Sequence, residues 1–264
     1  MGELGQASFE GEAYRPQEEI FFDDGREIEL LHFIYSHPQL DQMRGNPQKV
    51  LDAIDEYGRT RKYLMNIGEY KSKTVINLIK NEKPRVMVEL GGYVGYSAVA
   101  FGAALRDAGG KRYYSLEKNP EFAAVISMLV DLAGLGDIVK VVVGSSSSSL
   151  ERLYGEGALK HIDLLFLDHY KPAYTADLKL CEELGLVSVG SVYAADNVVK
   201  PGNPPYLEYV RSTVDEKKKR LSNGENSSCK GNPNLVYESR LVEGWEPSGV
   251  PDAIEITKCV GVES

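Results

Sequence analysis

The stretch Val86–Ser97, VMVELGGYVGYS, decides the fold of this chain. It opens with apolar and β-branched residues that predict a β-strand, and this strand ends at the acidic Glu89. Gly91, Gly92 and Gly95 follow, and the small apolar residues after them predict a helix. A strand, a glycine-rich turn and a helix together bring the backbone close to a nucleotide-like ligand. The stretch therefore predicts the binding site of such a ligand.

Strand and helix patterns alternate after this stretch. The predicted strands are Arg112–Leu116, Ile138–Val143, Ile162–Leu167 and Val187–Ala194, and the predicted helices are Pro120–Ala133, Leu150–Tyr154 and Tyr174–Leu184. Apolar strands separated by helices are typical of a parallel sheet that is covered on both faces. Leu235–Val242 and Ala253–Cys259 alternate like two strands, which predicts an antiparallel hairpin at one edge. The predicted fold class is α/β, with a mostly parallel sheet.

The two remaining parts of the chain are less regular. Residues 1–26 are polar and acidic, and we expect an extension that is partly disordered, followed by a single domain over 27–264. Three helices are predicted before the first strand, and another over Tyr206–Val214. Lys217–Asn234 is polar and rich in Gly, Asn and Ser, which predicts a loop.

Bulk properties exclude several classes of protein. The formal net charge of -9 argues against a general nucleic-acid binder, which needs Lys and Arg to neutralise phosphates. No apolar run is long enough to cross a bilayer, and the N-terminus has no signal-peptide pattern. Three widely spaced cysteines indicate thiols in a reducing compartment. We therefore expect a cytoplasmic protein with no membrane partner.

Two acidic residues at strand ends indicate the kind of ligand. Glu89 precedes the glycines, where it could bond a cationic group, and the turn does not fit the dinucleotide fingerprint G-x-G-x-x-G. Glu117 ends the next strand, where a carboxylate accepts both hydroxyls of a ribose. A positively charged adenosine compound without phosphates fits this pair, which predicts S-adenosylmethionine.

Three oxygen-bearing side chains end two later strands. Asp168 follows Ile162–Leu167, and Asp196 and Asn197 follow the strand after it. Acidic residues often cap the helix after a strand, and for one alone that is the better interpretation. For three that converge, we favour a Mg²⁺ site, since Mg²⁺ prefers oxygen ligands. Cys and His do not cluster, which argues against zinc.

Lys171 and His169 lie just beyond Asp168. A surface lysine is the common alternative for Lys171. Near a divalent cation, however, like charge disfavours the protonated form of a lysine, so Lys171 is a candidate general base for an acceptor hydroxyl. His169 is expected to contact the ligand or the backbone rather than to transfer protons.

These segments together resemble the catechol O-methyltransferase family, which has the Mg²⁺-dependent class I methyltransferase fold. The resemblance is collinear from about residue 27 to the C-terminus. It rests on LDAIDEY (Leu51–Tyr57), MNIG (Met65–Gly68), VELGGYVGYSAV (Val88–Val99), LEKNP (Leu116–Pro120), VVVGSS (Val141–Ser146), LFLDHYK (Leu165–Lys171) and ADNVVKPG (Ala195–Gly202). It implies a Rossmann-like, seven-stranded sheet and methyl transfer to a catechol-like small molecule.

The resemblance also implies roles for individual residues. It places S-adenosylmethionine against Ile67, Glu89, Gly91, Tyr93, Ser97, Glu117, Ser146, Asp168 and His169. It implies Asp168, Asp196 and Asn197 as Mg²⁺ ligands, Lys171 as the base, and Lys171, Asn197 and Glu238 as substrate contacts. For the last of these, Tyr237 and Glu238 compete for the register.

Departures from the family leave alternatives open. Vertebrate members have tryptophan at the positions of Tyr63 and Tyr170, so the range of acceptors can differ. A related enzyme for another vicinal-diol phenolic, such as a phenylpropanoid thioester, would share the core. A catalytically idle binding protein and a nicotinamide dehydrogenase are less favoured, because the intact metal triad argues against the first and the missing fingerprint against the second. A monomer is favoured.

Overall fold

A computed structural model describes residues 9–18, 24–223 and 229–263. In this part of the chain, seven strands form one sheet in the order β3-β2-β1-β4-β5-β7-β6. The strands are β1 (Val86–Leu90), β2 (Arg112–Glu117), β3 (Val139–Val143), β4 (Leu164–Leu167), β5 (Val192–Ala195), β6 (Leu235–Trp245) and β7 (Pro251–Val262). The pairings among β1 to β5 are parallel, whereas β7 runs antiparallel to both β5 and β6. The predicted fold class is confirmed.

Helices cover both faces of this sheet. They are α1 (Arg26–Tyr35), α2 (Leu40–Met43), α3 (Pro47–Thr60), α4 (Gly68–Glu82), α5 (Tyr96–Asp107), α6 (Pro120–Leu132), α7 (Ser146–Gly155), α8 (Tyr174–Glu183), α9 (Pro204–Val210) and α10 (Val214–Ser222). Two buried apolar clusters, one on each side of the strands, hold the layers together. Among the described residues, no helix combines the length and apolar character needed to cross a membrane.

Capping residues set the start of several helices. Asn46 accepts a hydrogen bond from the backbone of Lys49 at 3.2 Å, and Asn119 does the same for Glu121 at 2.9 Å. Each is followed by a proline, whose fixed φ suits the first helical turn. Ser145 caps α7 in the same way, so the run of serines begins a helix. This helix starts at Ser146, earlier than the predicted Leu150.

Several other predicted elements differ from the structure. Among the described residues, four helices rather than three precede β1, and the helix predicted over Tyr206–Val214 is α9, which ends at Val210. The fifth strand begins at Val192 rather than Val187, because Ser188 and Ser191 close a turn before it. The predicted loop over Lys217–Asn234 begins inside a helix, since α10 continues to Ser222. Residues 224–228 of that predicted loop lie outside the described part of the chain.

The carboxyl ends of the parallel strands position the candidate site. The strands β1, β2, β4 and β5 end side by side, which brings the residues that follow them to one edge of the sheet. Gly91 has a φ of 90°, and a Cβ there would lie 2.5 Å from the backbone oxygen of Asp168. Glycine therefore lets the turn after β1 pack directly on the end of β4.

Candidate active site

A cavity of about 660 Å³ lies at this edge of the sheet. Its volume is in the range of small-molecule sites. The predicted site residues that line it are Ile67, Gly91, Tyr93, Ser97, Glu117, Ser146, Asp168, His169, Lys171, Asp196 and Asn197. The structure therefore brings together eleven side chains or backbone positions that the sequence placed on separate segments.

Glu117 organises the glycine-rich turn. Its Oε2 accepts hydrogen bonds from the backbone of Gly92 at 3.2 Å and Tyr93 at 3.0 Å, and its Oε1 accepts one from Asn119 at 2.8 Å. The side chain is buried but still lines the cavity. Its carboxylate is therefore fixed at the cavity wall, where it can accept ligand hydroxyls.

Glu89 does not line the cavity, contrary to its expected contact with the cofactor. It is completely buried beneath the glycine turn, where Oε2 accepts a hydrogen bond from Ser115 at 2.6 Å. Burial raises the pKa of Glu89 to about 7, and hydrogen bonds from Ser115 and Ser97 oppose that rise. A Cβ at Gly92 would lie 3.4 Å from Glu89, so this carboxyl supports the turn from behind.

Asp177 on α8 is a site residue that the sequence analysis missed. Its Oδ2 lies 2.7 Å from Nε2 of His169 and accepts a hydrogen bond from Ser146 at 2.5 Å. The His169 ring also stacks on Tyr174, with centroids 4.9 Å apart. Asp177 therefore holds both His169 and Ser146, two predicted cofactor contacts that follow different strands. Its spacing of eight residues from His169 gave no recognisable motif.

Lys171 is held at the cavity wall by two oxygen atoms. Its Nζ lies 3.0 Å from Oδ1 of Asp168 and donates to the Tyr174 hydroxyl at 2.8 Å. That hydroxyl in turn donates to the backbone oxygen of Asp196 at 3.2 Å. The amine of Lys171 thus lies next to Asp168 and is connected through Tyr174 to the backbone of Asp196.

A buried lysine lies behind the predicted metal ligands. Nζ of Lys71 is 2.7 Å from Asp196, 2.5 Å from Glu246 and 2.7 Å from Asp252. These three carboxylates are close enough together to hold a metal ion, but the ammonium group lies between them and compensates part of their negative charge. Burial disfavours that ammonium, but the three negative charges outweigh burial and raise the pKa of Lys71. Asp196 therefore contacts Lys71 within this cluster and also lines the cavity.

The orientation of Asn197 fits a divalent cation. Its Nδ2 donates to Glu246 at 2.5 Å and to Asp252 at 3.0 Å, so the amide nitrogen faces these carboxylates. The amide oxygen of Asn197 therefore faces away from them. Asn197 has a φ of 57°, a conformation that asparagine tolerates better than most residues. Asp168, Asp196 and the Asn197 oxygen are the hard donors that Mg²⁺ prefers.

Glu238, the predicted substrate contact, does not line the cavity. It is exposed on β6, opposite Lys258 of β7. Glu246, just beyond the end of β6, lines the cavity instead and is buried. The register of a long edge hairpin depends on its connection, which the alternating pattern alone did not determine.

The two tyrosines at the family's tryptophan positions differ in burial. Tyr63 lines the cavity with only 5% of its surface exposed. Tyr170 also lines the cavity but is 75% exposed, at its rim. The aromatic wall is therefore retained at both positions.

Comparisons with known proteins agree with this geometry. A family described as O-methyltransferase matches residues 47–218. This chain belongs to the O-methyltransferase family. Catechol O-methyltransferase of Bos taurus is 38% identical over 197 residues, which are 75% of this chain and 70% of that protein. The enzyme of the same name from Mus musculus is 39% identical over 68% of this chain and 67% of its own length.

More distant relatives extend the comparison. A human protein named transmembrane O-methyltransferase is 32% identical over 67% of this chain and 61% of its own length. An O-methyltransferase structure from Bacillus cereus, in complex with SAH, has a TM-score of 0.59 at 19% identity, covering 88% of this chain and 97% of that one. The resemblance to the catechol O-methyltransferase family and the identification as an O-methyltransferase are confirmed.

Proposed function

We propose that this O-methyltransferase moves the methyl group of S-adenosylmethionine to one hydroxyl of a catechol-like small molecule, with Mg²⁺ and with Lys171 as general base. The observation that carries the proposal is the position of the Lys171 amine, 3.0 Å from Asp168 on the wall of the cavity. The family assignment and the catechol O-methyltransferase relatives support the choice of reaction.

We assign the donor to the half of the cavity formed by the glycine turn. Glu117 is fixed there to accept the two ribose hydroxyls, as expected from its strand end. His169 and Ser146, both held by Asp177, form the adjoining wall. The donor supplies a methyl group on a positively charged sulfur, which suits a site with few basic side chains.

We assign Mg²⁺ to Asp168, Asp196 and Asn197. The oxygen donors and the orientation of the Asn197 amide support this assignment. When bound there, Mg²⁺ supplies Lewis acidity, which lowers the pKa of a hydroxyl that it contacts. The buried Lys71 cluster keeps Asp196 and Asn197 in place from behind.

Lys171 removes the proton of the acceptor hydroxyl. The acceptor oxygen then forms a bond to the methyl carbon, the carbon–sulfur bond breaks, and S-adenosylhomocysteine leaves. Tyr174 holds the lysine in place through the hydrogen bond at 2.8 Å. Glu246 lies at the acceptor end of the cavity, and we assign it the role of orienting the second hydroxyl. Most of the rate enhancement comes from holding two reactants in attack geometry.

Methyl transfer from labelled donor to a panel of catechols and phenylpropanoid thioesters tests the proposal. We expect turnover on catechols, its loss after chelation and its return with Mg²⁺. We expect Lys171→Ala to lower kcat by about 100-fold or more while S-adenosylhomocysteine affinity stays near normal. Lys80→Ala, at an exposed position on α4, is the matched control. Turnover at the parent rate in Lys171→Ala would show that the base is wrongly assigned.

A further inference from the structure

Residues 9–18 pack against the domain as a segment that we call the N-terminal strap. Tyr14 is 7% exposed, its hydroxyl donates to Asp55, and its backbone N–H donates to Pro247 at 2.9 Å. The Tyr14 ring packs directly against Gly58 on α3, where a Cβ would collide with it. The strap is therefore fixed by both burial and hydrogen bonds.

Two residues at the end of the strap form part of the cavity wall. Gln17 lines the cavity, and its Oε1 accepts a hydrogen bond from Ser248 at 3.0 Å. Glu18 also lines the cavity and accepts two hydrogen bonds from the buried Arg26, at 3.0 and 2.9 Å. The same arginine donates to the backbone oxygen of Tyr63 at 2.9 Å. Gln17 and Glu18 of the strap therefore line the cavity together with Tyr63.

These contacts place the strap at the acceptor end of the cavity. Ser248 follows Glu246 by two residues, in the connection between β6 and β7. Tyr63, whose backbone oxygen Arg26 holds, lines the same cavity as Glu246 and Asp168. Glu117 and the glycine turn lie on other elements, β2 and the turn after β1.

We propose that the strap determines acceptor specificity: Gln17 and Glu18 close the acceptor end, so that compact catechols fit and catechols with a bulky ring substituent are excluded. This inference rests on the proposed function. Its physical basis is that Gln17 is held by Ser248 and Glu18 by Arg26, so a larger acceptor has to break those contacts to enter. A wall fixed in this way discriminates by size, because Gln17 and Glu18 are each held by a hydrogen-bond partner from the domain.

The test uses the full chain with Tyr14→Ala, which removes the strap's anchor. We expect faster hydrogen exchange in residues 9–18. We also expect the ratio of kcat/KM for a bulky catechol to kcat/KM for catechol itself to rise about tenfold. The affinity for S-adenosylhomocysteine, measured by calorimetry, should change less than about twofold. Glu12→Ala is the control, since its side chain is 85% exposed on the same segment and does not line the cavity.

The outcomes separate the two proposals. An unmoved ratio with a released strap, or a parallel loss of S-adenosylhomocysteine affinity, overturns the strap proposal. If Tyr14→Ala does not fold, the double variant Gln17→Ala with Glu18→Ala decides by the same ratio, because it leaves the anchor intact. If the wild-type protein methylates neither catechol, the proposed function fails, and the strap proposal falls with it.

Discussion

Lys71 is the residue on which the candidate active site depends most. Its side chain is 1% exposed and contacts three carboxylates, all of them buried. Burying a charge is costly unless it is paired, and removing one partner leaves the others uncompensated. Lys71 therefore stabilises a cluster that would otherwise repel itself, and Asp196 and Asn197 belong to that cluster.

Lys71→Met keeps most of the side-chain volume and removes the charge. We expect the free energy of unfolding to fall by about 3–5 kcal/mol, because three buried carboxylates lose their counter-charge. Urea unfolding followed by circular dichroism measures the effect. Lys73→Met on the same helix is the control, and its exposed pair with Glu69 predicts a change below about 1 kcal/mol. An equally small loss in Lys71→Met would contradict the role assigned to the cluster.

Glu89 gives a prediction about pH. Its pKa is about 7 in the folded protein, above the usual 4.5, so the folded state holds a proton that the unfolded state has lost between these values. The stability from this group is complete below pH 4.5 and is lost as the pH rises through 7. Glu89→Gln removes this dependence. Relative to the wild-type protein, the variant should gain about 1.4 kcal/mol per pH unit between pH 5 and 7.

Unfolding curves at pH 5, 6, 7 and 8 measure this gain. Above pH 7 the difference should level off, because both states of the wild-type protein are then ionised at Glu89. Glu121→Gln, at an exposed position, is the control. A constant difference across the four pH values would show that Glu89 is ionised throughout.

The sequence predicted the site residues that lie at strand ends, and it missed those held by long-range packing. Asp168, Asp196 and Asn197 follow apolar strands, so the parallel topology alone brings them together. Lys71 gave no comparable signal, because an internal helix lysine looks solvent-exposed until its partners from the hairpin are known. Glu246 was missed for the same reason. The sequence analysis assigned the late substrate carboxylate to Glu238, whereas Glu246 lines the cavity.

At the scale of elements, α10 shows how a charged sequence can hide a helix. Thr213 accepts a hydrogen bond from the backbone of Glu216 at 3.3 Å, and Glu216 accepts one from the backbone of Thr213 at 2.8 Å. This capping box was readable as T-x-x-E. The polar composition of Lys217–Asn234 predicted a loop, yet Lys217 is buried, with its Nζ 3.9 Å from the centroid of the Tyr237 ring.

Thr213→Ala tests the contribution of that cap. We expect a loss of about 1 kcal/mol in the free energy of unfolding, because the first turn of α10 loses a hydrogen-bond acceptor. Thermal unfolding in a calorimeter measures it. Lys219→Ala, exposed on the same helix, should leave the stability within about 0.5 kcal/mol of the wild-type value. If the two variants behave alike, the capping box does not stabilise the helix.

At the scale of the whole molecule, ligand binding should stabilise the folded domain against unfolding. The cavity draws its walls from the segment before α4, the turn after β1, and the connection between β6 and β7. A ligand that contacts these elements binds the folded state only. Its binding free energy therefore adds to the stability of the whole domain.

S-adenosylhomocysteine at 100 times its Kd should raise the free energy of unfolding by about 2.7 kcal/mol. For a domain of this size, the melting temperature should rise by about 5–10 °C. Differential scanning calorimetry with NADH at the same concentration is the control, and no shift is expected. A shift with NADH alone would favour the dehydrogenase interpretation over S-adenosylmethionine binding.

The Lys71 cluster also bears on how the protein is made. Lys71 and Asp252 are 181 positions apart in the chain, and Glu246 is 175 positions from Lys71. During synthesis the ribosome releases Lys71 long before either carboxylate exists. Residues from the last strands must therefore emerge before the lysine can be buried at low cost. A nascent chain that stops before residue 246 carries every strand-end group of the site, but not Glu246 and Asp252, the two carboxylates that contact Lys71 and Asn197.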